Sequence, residues 1–522
     1  MLKPNMTKDK IIYLIFSILL FAGLCIFFIR IHPQTIYDTD DWTYLSFTRS
    51  SKLLPSRNEW NPAKVLPENI MPLAGYIGKI FVMPTTGSLF VSETISLSLM
   101  LAVFAFAYIL LIARMAAVKF RLNVYEHICL ACFVALMQFI PYYSSGSGNA
   151  HFFYEGNVTC VYNYTIPGLL NIILLCLAVI HEDHIRHFFR KEHVVCKVIY
   201  MILIYFAVYS NLFSNIIIAV FAGVKILQYF FIEARDYLTD RTDKLIQCFV
   251  YIFTLILWFI SMFFELGGGR AQSLSGSSVS IMTAFKWITA EFRNKNLLFN
   301  IILILMITAY IALLIHVCRN RSRYIDPLLE SLKKKPKKTA EANENDRLCF
   351  TCVNQMTFFI ICSVLSVIYI ILLCAKTGGH QGQPGVQNDY YAYLIISVCM
   401  LLAFLMKTQK KSIFGVAAVT LVMAGMIFFG KGTYAEYNMH RHSTETCRQL
   451  ADYIIDQYIE ADKSNVETAQ IHVPDYGTGD NFPMADYGCH RIANTLYNYG
   501  ITKKFVMSEF VKDPEVNKML GL

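Results

Sequence analysis

Residues 11–31, IIYLIFSILLFAGLCIFFIRI, are followed almost at once by Tyr37-Asp38-Thr39-Asp40-Asp41-Trp42. A helix of about 20 mostly apolar residues is long enough to cross a bilayer. The first stretch therefore predicts a membrane-spanning helix, and the second places three carboxylates just beyond its end. The apolar run is too long for a cleaved signal peptide, and no small-x-small cleavage site follows it. Ten further segments are candidates for the same role: 89–112, 124–141, 166–181, 195–210, 212–232, 246–264, 297–317, 350–374, 390–406 and 412–430, of which 166–181 and 195–210 are short. The fifth and sixth of the eleven form a tight hairpin around Ser210-Asn211.

Composition agrees with this pattern. Of 522 residues, 55% are apolar, 16% charged and 14% aromatic. Mean hydropathy is +0.45. A soluble domain carries about 25% charged residues, so an ordinary cytosolic enzyme, a disordered chain and a fibrous repeat are excluded. The expected fold class is an all-α polytopic membrane protein. The net charge of +9 bears on topology, not on nucleic acid. Most of the fifteen cysteines lie in apolar runs as small hydrophobes. Cys349-x-x-Cys352 has no second pair to make a zinc site.

Lys and Arg alternate between loops. They cluster in the N-terminal segment (Lys3, Lys8, Lys10) and in the loops carrying Arg114, Lys119 and Arg121; Arg186, Arg190, Lys191 and Lys197; Arg235, Arg241 and Lys244; Arg319 to Lys338; and Lys407, Lys410 and Lys411. The positive-inside rule makes that side cytoplasmic. The expected protein is thus a multi-pass plasma-membrane protein with a cytoplasmic N-terminus. Loops 32–88, 142–165, 265–296 and 375–389 lie outside. Residues 1–430 form the bundle. Residues 431–522 form an extracytoplasmic α/β module, with a helix over 443–463, a strand over 469–473, a helix near 486–499 and a strand near 503–507. Lys333 to Lys338 suit anionic lipid or a plain inside anchor.

Carboxylates beside hydrocarbon are costly without a task or partners. Asp38, Asp40 and Asp41 can serve as a general base, or two of them can hold a divalent cation; a solvated helix end is the plain alternative. The same loop then supplies Arg49, Lys52, Arg57 and Lys64 within a proline-rich run, Pro55, Pro62, Pro67 and Pro72. These prolines predict short packed pieces rather than one helix. Acids followed by bases at a lipid surface suit a phosphate-bearing lipid substrate, because arginine offers paired donors to phosphate.

Asp40-Asp41-Trp42, Trp60-Asn61-Pro62, Pro67-Glu68 and Met71-Pro72 resemble the first outer loop of GT-C-fold membrane glycosyltransferases, in particular a GtrII-like and uncharacterised bacterial branch. Glu155 to Gly168, with a Tyr and Pro at the start of a helix, is a second point of resemblance. The likeness covers roughly the first 170 residues. It implies transfer of a sugar from a polyprenyl-phosphate carrier to an extracytoplasmic glycan or cell-envelope polymer. It implies one of Asp38, Asp40 and Asp41 as the base, with Asp41 favoured because Trp42 and Tyr44 follow it. It implies Arg57, Lys64, Arg270, Lys376 and His380 as candidates to hold the donor phosphate. Some members of the family need a metal and others do not; no clean metal set appears in this sequence, so no cofactor is expected to be required, a divalent cation being the alternative.

Trp42, Tyr44, Trp60, Glu68, His151 and Glu155 complete the expected substrate contacts. Loop 142–165 is rich in aromatic rings, which stack on sugars or form an interfacial belt. His151 and Glu155 are four apart and would face each other on a helix, although Gly156 and the loop composition argue against a helix there. Gly267-Gly268-Gly269-Arg270 permits close backbone approach to a phosphate or makes a flexible loop. Asp475, Asp480 and Asp486 are a calcium candidate or a solvated loop. The competing functions are a transporter or flippase of a lipid-linked glycan, which would place charges near the midplane, a polysaccharide polymerase or ligase, and a noncatalytic scaffold.

Overall fold

A computed structural model of the chain describes residues 7–46, 49–142, 150–232, 241–274, 276–320, 344–408, 412–435, 442–464, 466–475 and 488–521. The chain is mostly helical. We label α1 (Lys8–Ile26), α2 (Thr39–Ser46), α3 (Pro67–Ile77), α4 (Leu89–Phe120), α5 (Val124–Met137), α6 (Ile166–Ile180), α7 (Val194–Val208), α8 (Ile216–Leu227), α9 (Phe249–Leu266), α10 (Ile281–Arg293), α11 (Leu297–Arg319), α12 (Glu344–Thr377), α13 (Pro384–Thr408), α14 (Ser412–Phe429), α15 (Thr444–Ser464), β1 (Ala469–Val473), α16 (Gly488–Asn498), β2 (Ser508–Lys512) and α17 (Pro514–Leu520).

Among the described residues, seven helices are long and apolar enough to cross a membrane: Lys8–Ile31, Leu89–Phe120, Val158–Ile180, Phe249–Leu266, Leu297–Arg319, Glu344–Thr377 and Pro384–Thr408. The other four predicted segments are helical but shorter: Val124–Met137, Val194–Val208, Ile216–Phe230 and Gly415–Phe429. Fifteen residues of helix reach only about 22 Å, so the count of eleven full-length spans does not follow from these lengths. The predicted turn holds: Ser210 and Asn211 lie buried between α7 and α8, and Asn211 Nδ2 donates to Asn163 O at 2.7 Å.

Burial orders the bundle. The spans containing α6 and α13 are 89% and 72% buried in their most apolar windows, whereas α1 is 17% and α9 and α11 are 22%. The first two form the centre. The other three expose Ile, Leu and Phe as a lipid-facing surface would. Local capping fixes the joint between α4 and α5. Arg121 takes a left-handed conformation at φ 52°, and Asn123 and Glu126 form a reciprocal capping box that starts α5.

Two outer segments differ from expectation. Pro67 opens α3, a position where its missing N–H is harmless. Pro72 lies inside that helix, and helical turns continue through Gly78–Val82 to Thr86. The prolines of 55–72 thus do not keep this region in short pieces throughout. Residues 281–293, expected to be outer loop, form the amphipathic α10 with Ser280 as its cap. Its Ala284 and Ile288 are buried while Ile281, Met282 and Phe285 are exposed. Cys349 and Cys352 are buried within α12, where Cys352 Sγ approaches Met356 Sδ at 3.6 Å.

In the C-terminal segment β1 and β2 pair in parallel, Ala469 opposite Ser508. The second strand begins five residues later than expected. The segment rests on the start of the chain. Thr495 Oγ1 donates to Trp42 O at 2.6 Å, and Tyr499 OH donates to Leu45 O at 2.9 Å. Gly75 makes room for this contact: a Cβ there would stand 2.1 Å from Tyr499 Oη and 2.8 Å from Leu45 O.

Candidate functional site

The acidic motif is first of all a helix start. Asp38 caps α2: its Oδ1 accepts from Asp40 N at 3.0 Å. Asp41, three residues on, reaches back, its Oδ2 accepting from Tyr37 N at 3.2 Å and Asp38 N at 3.1 Å. This is a capping box built from two aspartates. The remaining oxygens bind the segment before α6. Asp41 Oδ1 accepts from Thr159 N at 2.8 Å and Thr159 Oγ1 at 2.7 Å. Asp38 Oδ2 accepts from Asn157 Nδ2 at 3.2 Å. Asp41 is 0% exposed, and burial, then the Asp38 charge, lifts its pKa to about 7 against those four donors. Asp40 differs from both: it is exposed at the first turn, and no described side-chain or backbone donor engages its carboxylate. A D-x-x-D spacing before a short helix is the signal that would have separated structural acids from the free one.

The rest of the loop is tied down by Arg49. Its Nη1 donates to Glu68 Oε2 and to Asn61 O, each at 2.9 Å, and its Nη2 donates to Leu54 O and Pro62 O at 3.2 Å. The pair is buried, with side chains 1% and 4% exposed. Glu68 therefore holds the loop rather than facing a ligand. Asn61 Nδ2 bridges Glu68 Oε1 at 3.0 Å and Tyr44 Oη at 3.2 Å, which fixes the Tyr44 ring. Burial, then Glu68 and Asp40, raises the Tyr44 hydroxyl pKa, while Arg270 lowers it. That phenol thus senses the acidic helix and the cation together.

Two backbone bonds dock the first loop on the Gly-rich loop. Ala63 N donates to Glu265 Oε2 at 2.9 Å, and Arg270 N donates to Trp60 O at 3.0 Å. The indole of Trp60 covers Gly269, where a Cβ would come within 2.7 Å of the ring. This brings Arg270 to Tyr164, whose hydroxyl accepts from Nη2 at 3.4 Å. Lys64 Nζ stands 5.5 Å over the same ring. Among the described residues, no carboxylate lies within ion-pair distance of Lys64 or Arg270. Lys64 is only 6% exposed. Burial first, and Arg270 second, hold its ammonium down at about 7, against the pull of Glu265 and Glu68. His380, at φ +77°, packs near Tyr164 and Phe213 at ring distances of 6.1 and 5.4 Å. Burial, Arg270 and Lys64 push its pKa to about 4, so near neutrality it offers an uncharged imidazole.

The structure thus places Lys64, Arg270 and His380 around Tyr164, and Tyr44 within electrostatic reach of both Asp40 and Arg270. Other expected site residues lie elsewhere. Arg57 is exposed and stacks 4.1 Å over Phe263. Lys376 is exposed on the last turns of α12. Trp42 is buried beneath the C-terminal segment. His151 and Glu155 do not share a helix: residues 151–157 are non-helical. His151 faces His32 at 3.2 Å within an aromatic cluster. Glu155 Oε1 accepts from Gly385 N at 2.7 Å. Of the calcium candidate, Asp480 and Asp486 lie outside the described residues, as do Lys333 to Lys338.

Glu155 is fully buried, and burial raises its pKa to about 8 against the Gly385 N–H. An acid whose folded pKa exceeds its unfolded value of about 4.3 stabilises most below that value. Its contribution fades as pH rises from there to about 8. The thermal midpoint of the wild type is expected to fall across this window, and Glu155→Gln to make that slope shallower. An unchanged slope in the variant would show that Glu155 does not titrate there.

Two spans also hold buried acids. Glu93 is the fifth residue of α4, and both its oxygens lack a hydrogen-bond partner among the described residues. Asp389, the sixth residue of α13, accepts from Ser214 Oγ at 2.9 Å. Both lie in the opening turns of their helices.

No family model matches the chain, and no curated protein matches it. Among solved structures it is similar to the crystal structure of the Archaeoglobus fulgidus oligosaccharyltransferase in complex with zinc and sulfate, at 13% identity and a TM-score of 0.38. The match covers 86% of this chain and 55% of that one, so the chain spans about half the length of that enzyme. At that TM-score nothing of its fold or activity is carried across.

Proposed function

We propose that the chain is a membrane glycosyltransferase that moves a sugar from a polyprenyl-phosphate carrier to an extracytoplasmic cell-envelope glycan or polymer. The observation that carries this reading is the pair Lys64 and Arg270 at Tyr164, two cations that form no ion pair among the described residues, with the exposed acid Asp40 linked to them through Tyr44. An anionic leaving group completes such a site electrostatically. The resemblance of the first outer loop to GT-C enzymes points the same way.

In the proposed step Asp40 takes the proton from an acceptor hydroxyl. The acceptor oxygen bonds to the sugar's anomeric carbon as the bond from that carbon to the phosphate oxygen breaks. The polyprenyl phosphate leaves with its charge held by Lys64 and Arg270, while His380 donates a neutral hydrogen bond. Tyr44 and Trp60 offer rings for the sugar face. Asp38 and Asp41 hold the helix that carries the base, and no metal is required. In this reading the acid end is extracytoplasmic and the Lys- and Arg-rich end cytoplasmic.

The test is direct. The purified chain, in lipid nanodiscs, is incubated with polyprenyl-phosphate sugars and with envelope glycans. Labelled sugar appearing in the glycan supports the reading. Movement of the intact lipid-linked sugar from one leaflet to the other in proteoliposomes, without transfer, would replace it with the flippase.

A further inference from the structure

A cavity of about 590 Å³ opens at the opposite end of the bundle, between the start of α1, the end of α4 and the start of α5. The α1 span of 24 residues puts it roughly 36 Å from the acidic helix. Its polar lining includes Asp9, Lys10, Tyr13, Ser17, Arg114, Asn123 and His127. Leu14, Leu122 and Val124 supply apolar wall. Lys10 and Arg114 make no ion pair with any described carboxylate, and Arg114 is exposed although it lies within an apolar span. The back of the cavity is rigid: Tyr13 stacks on the buried His127, ring centroids 4.6 Å apart, with Tyr13 Oη 3.3 Å from Nε2. The side towards lipid is apolar, with Ile11, Leu14, Ile15 and Ile18 of α1 all exposed.

We propose that this cavity binds the phosphate-bearing headgroup of an anionic membrane phospholipid. Arg114 supplies paired donors to the phosphate, Lys10 adds a point charge, and the Tyr13 hydroxyl lies in the same wall. Leu14 and Leu122 line the path of the glycerol and first acyl carbons. A free phosphate compound shares the anion but not the apolar part of the wall, and this separates the two sources. The site is independent of the transfer reading, because it lies at the other end of the spanning helices.

The full chain in detergent would be mixed with phosphatidylglycerol, phosphatidylcholine or inorganic phosphate. Lipid retention would be read by native mass spectrometry and the thermal midpoint followed in parallel. Wild type is expected to retain phosphatidylglycerol preferentially, with inorganic phosphate neither displacing it nor raising the midpoint. Each juxtamembrane cation contributes about 1 kcal/mol to anionic lipid binding. Lys10→Gln or Arg114→Gln should therefore weaken retention about fivefold, and the double variant about 25-fold. Both residues are exposed, so folding should survive; Lys191→Gln, an exposed cation in the segment between α6 and α7, should change nothing. Equal retention of the two lipids, or undiminished retention by the double variant, would overturn the proposal. So would stabilisation by inorganic phosphate alone, which would make the ligand a soluble one.

Discussion

Asp40→Asn is expected to abolish sugar transfer, by about 10²- to 10⁴-fold for loss of a general base, with no change in thermal midpoint. Its carboxylate is exposed and takes no described hydrogen bond, so folding does not depend on it. Asp41→Asn should do the reverse. Its two oxygens accept from Tyr37 N, Asp38 N, Thr159 N and Thr159 Oγ1, and an amide would turn an NH₂ towards donors at one of those oxygens. A buried donor left unsatisfied costs about 1–3 kcal/mol, and two would face the amide nitrogen. The midpoint should therefore drop by several degrees, with residual activity tracking the folded fraction. Transfer assays and thermal unfolding on the same preparations separate the two outcomes. Full activity in Asp40→Asn, with a dead but stable Asp41→Asn, would return the base to Asp41.

The second large effect is expected at the cations. Lys64→Met with Arg270→Met should lower transfer by at least about 10²-fold, as removal of a charge-stabilising donor does elsewhere. Lys64→Met alone should remove the pH dependence of donor binding. The Lys64 ammonium is held down at about 7 by burial and Arg270, so the wild-type site loses a positive charge as pH rises through that value. Donor KM should accordingly rise between pH 6 and 8.5, while Lys64→Met should show a high and flat KM. A wild-type KM that falls with rising pH would contradict the assignment.

Much of the bundle was legible in the sequence because lipid demands long apolar runs, and every predicted segment falls on helix. What escaped was decided by contacts between distant residues. Pro72 inside α3 breaks the local rule because that helix packs against α2 and the C-terminal segment. Helix α10 was legible after all: Ile281, Ala284, Phe285 and Ile288 carry the helical period behind a Ser cap, within a loop judged by its glycines and serines. Among the site residues, Lys64, Arg270 and His380 are brought together, while Arg57 and Lys376 are not. Charge alone could not distinguish them, because the difference lies in the docking of one loop on another through Ala63, Glu265, Trp60 and Gly269. Glu68 and Arg49 illustrate the same point: each has the chemistry of a site residue, and each is occupied by the other.

The seating of Thr495 and Tyr499 on the carbonyls of α2 also bears on biosynthesis. The bond from Thr495 to Trp42 joins residues 453 apart. At about 5–20 residues per second, the ribosome needs roughly 20–90 s to make the chain between them. Throughout that interval the carbonyls of Trp42 and Leu45 lack the donors that Thr495 and Tyr499 bring to them. A chain halted before Thr495 would carry the acids and the cations yet lack the two hydrogen bonds on the far end of the helix that bears the acids, so the last seating of that helix waits on the end of translation.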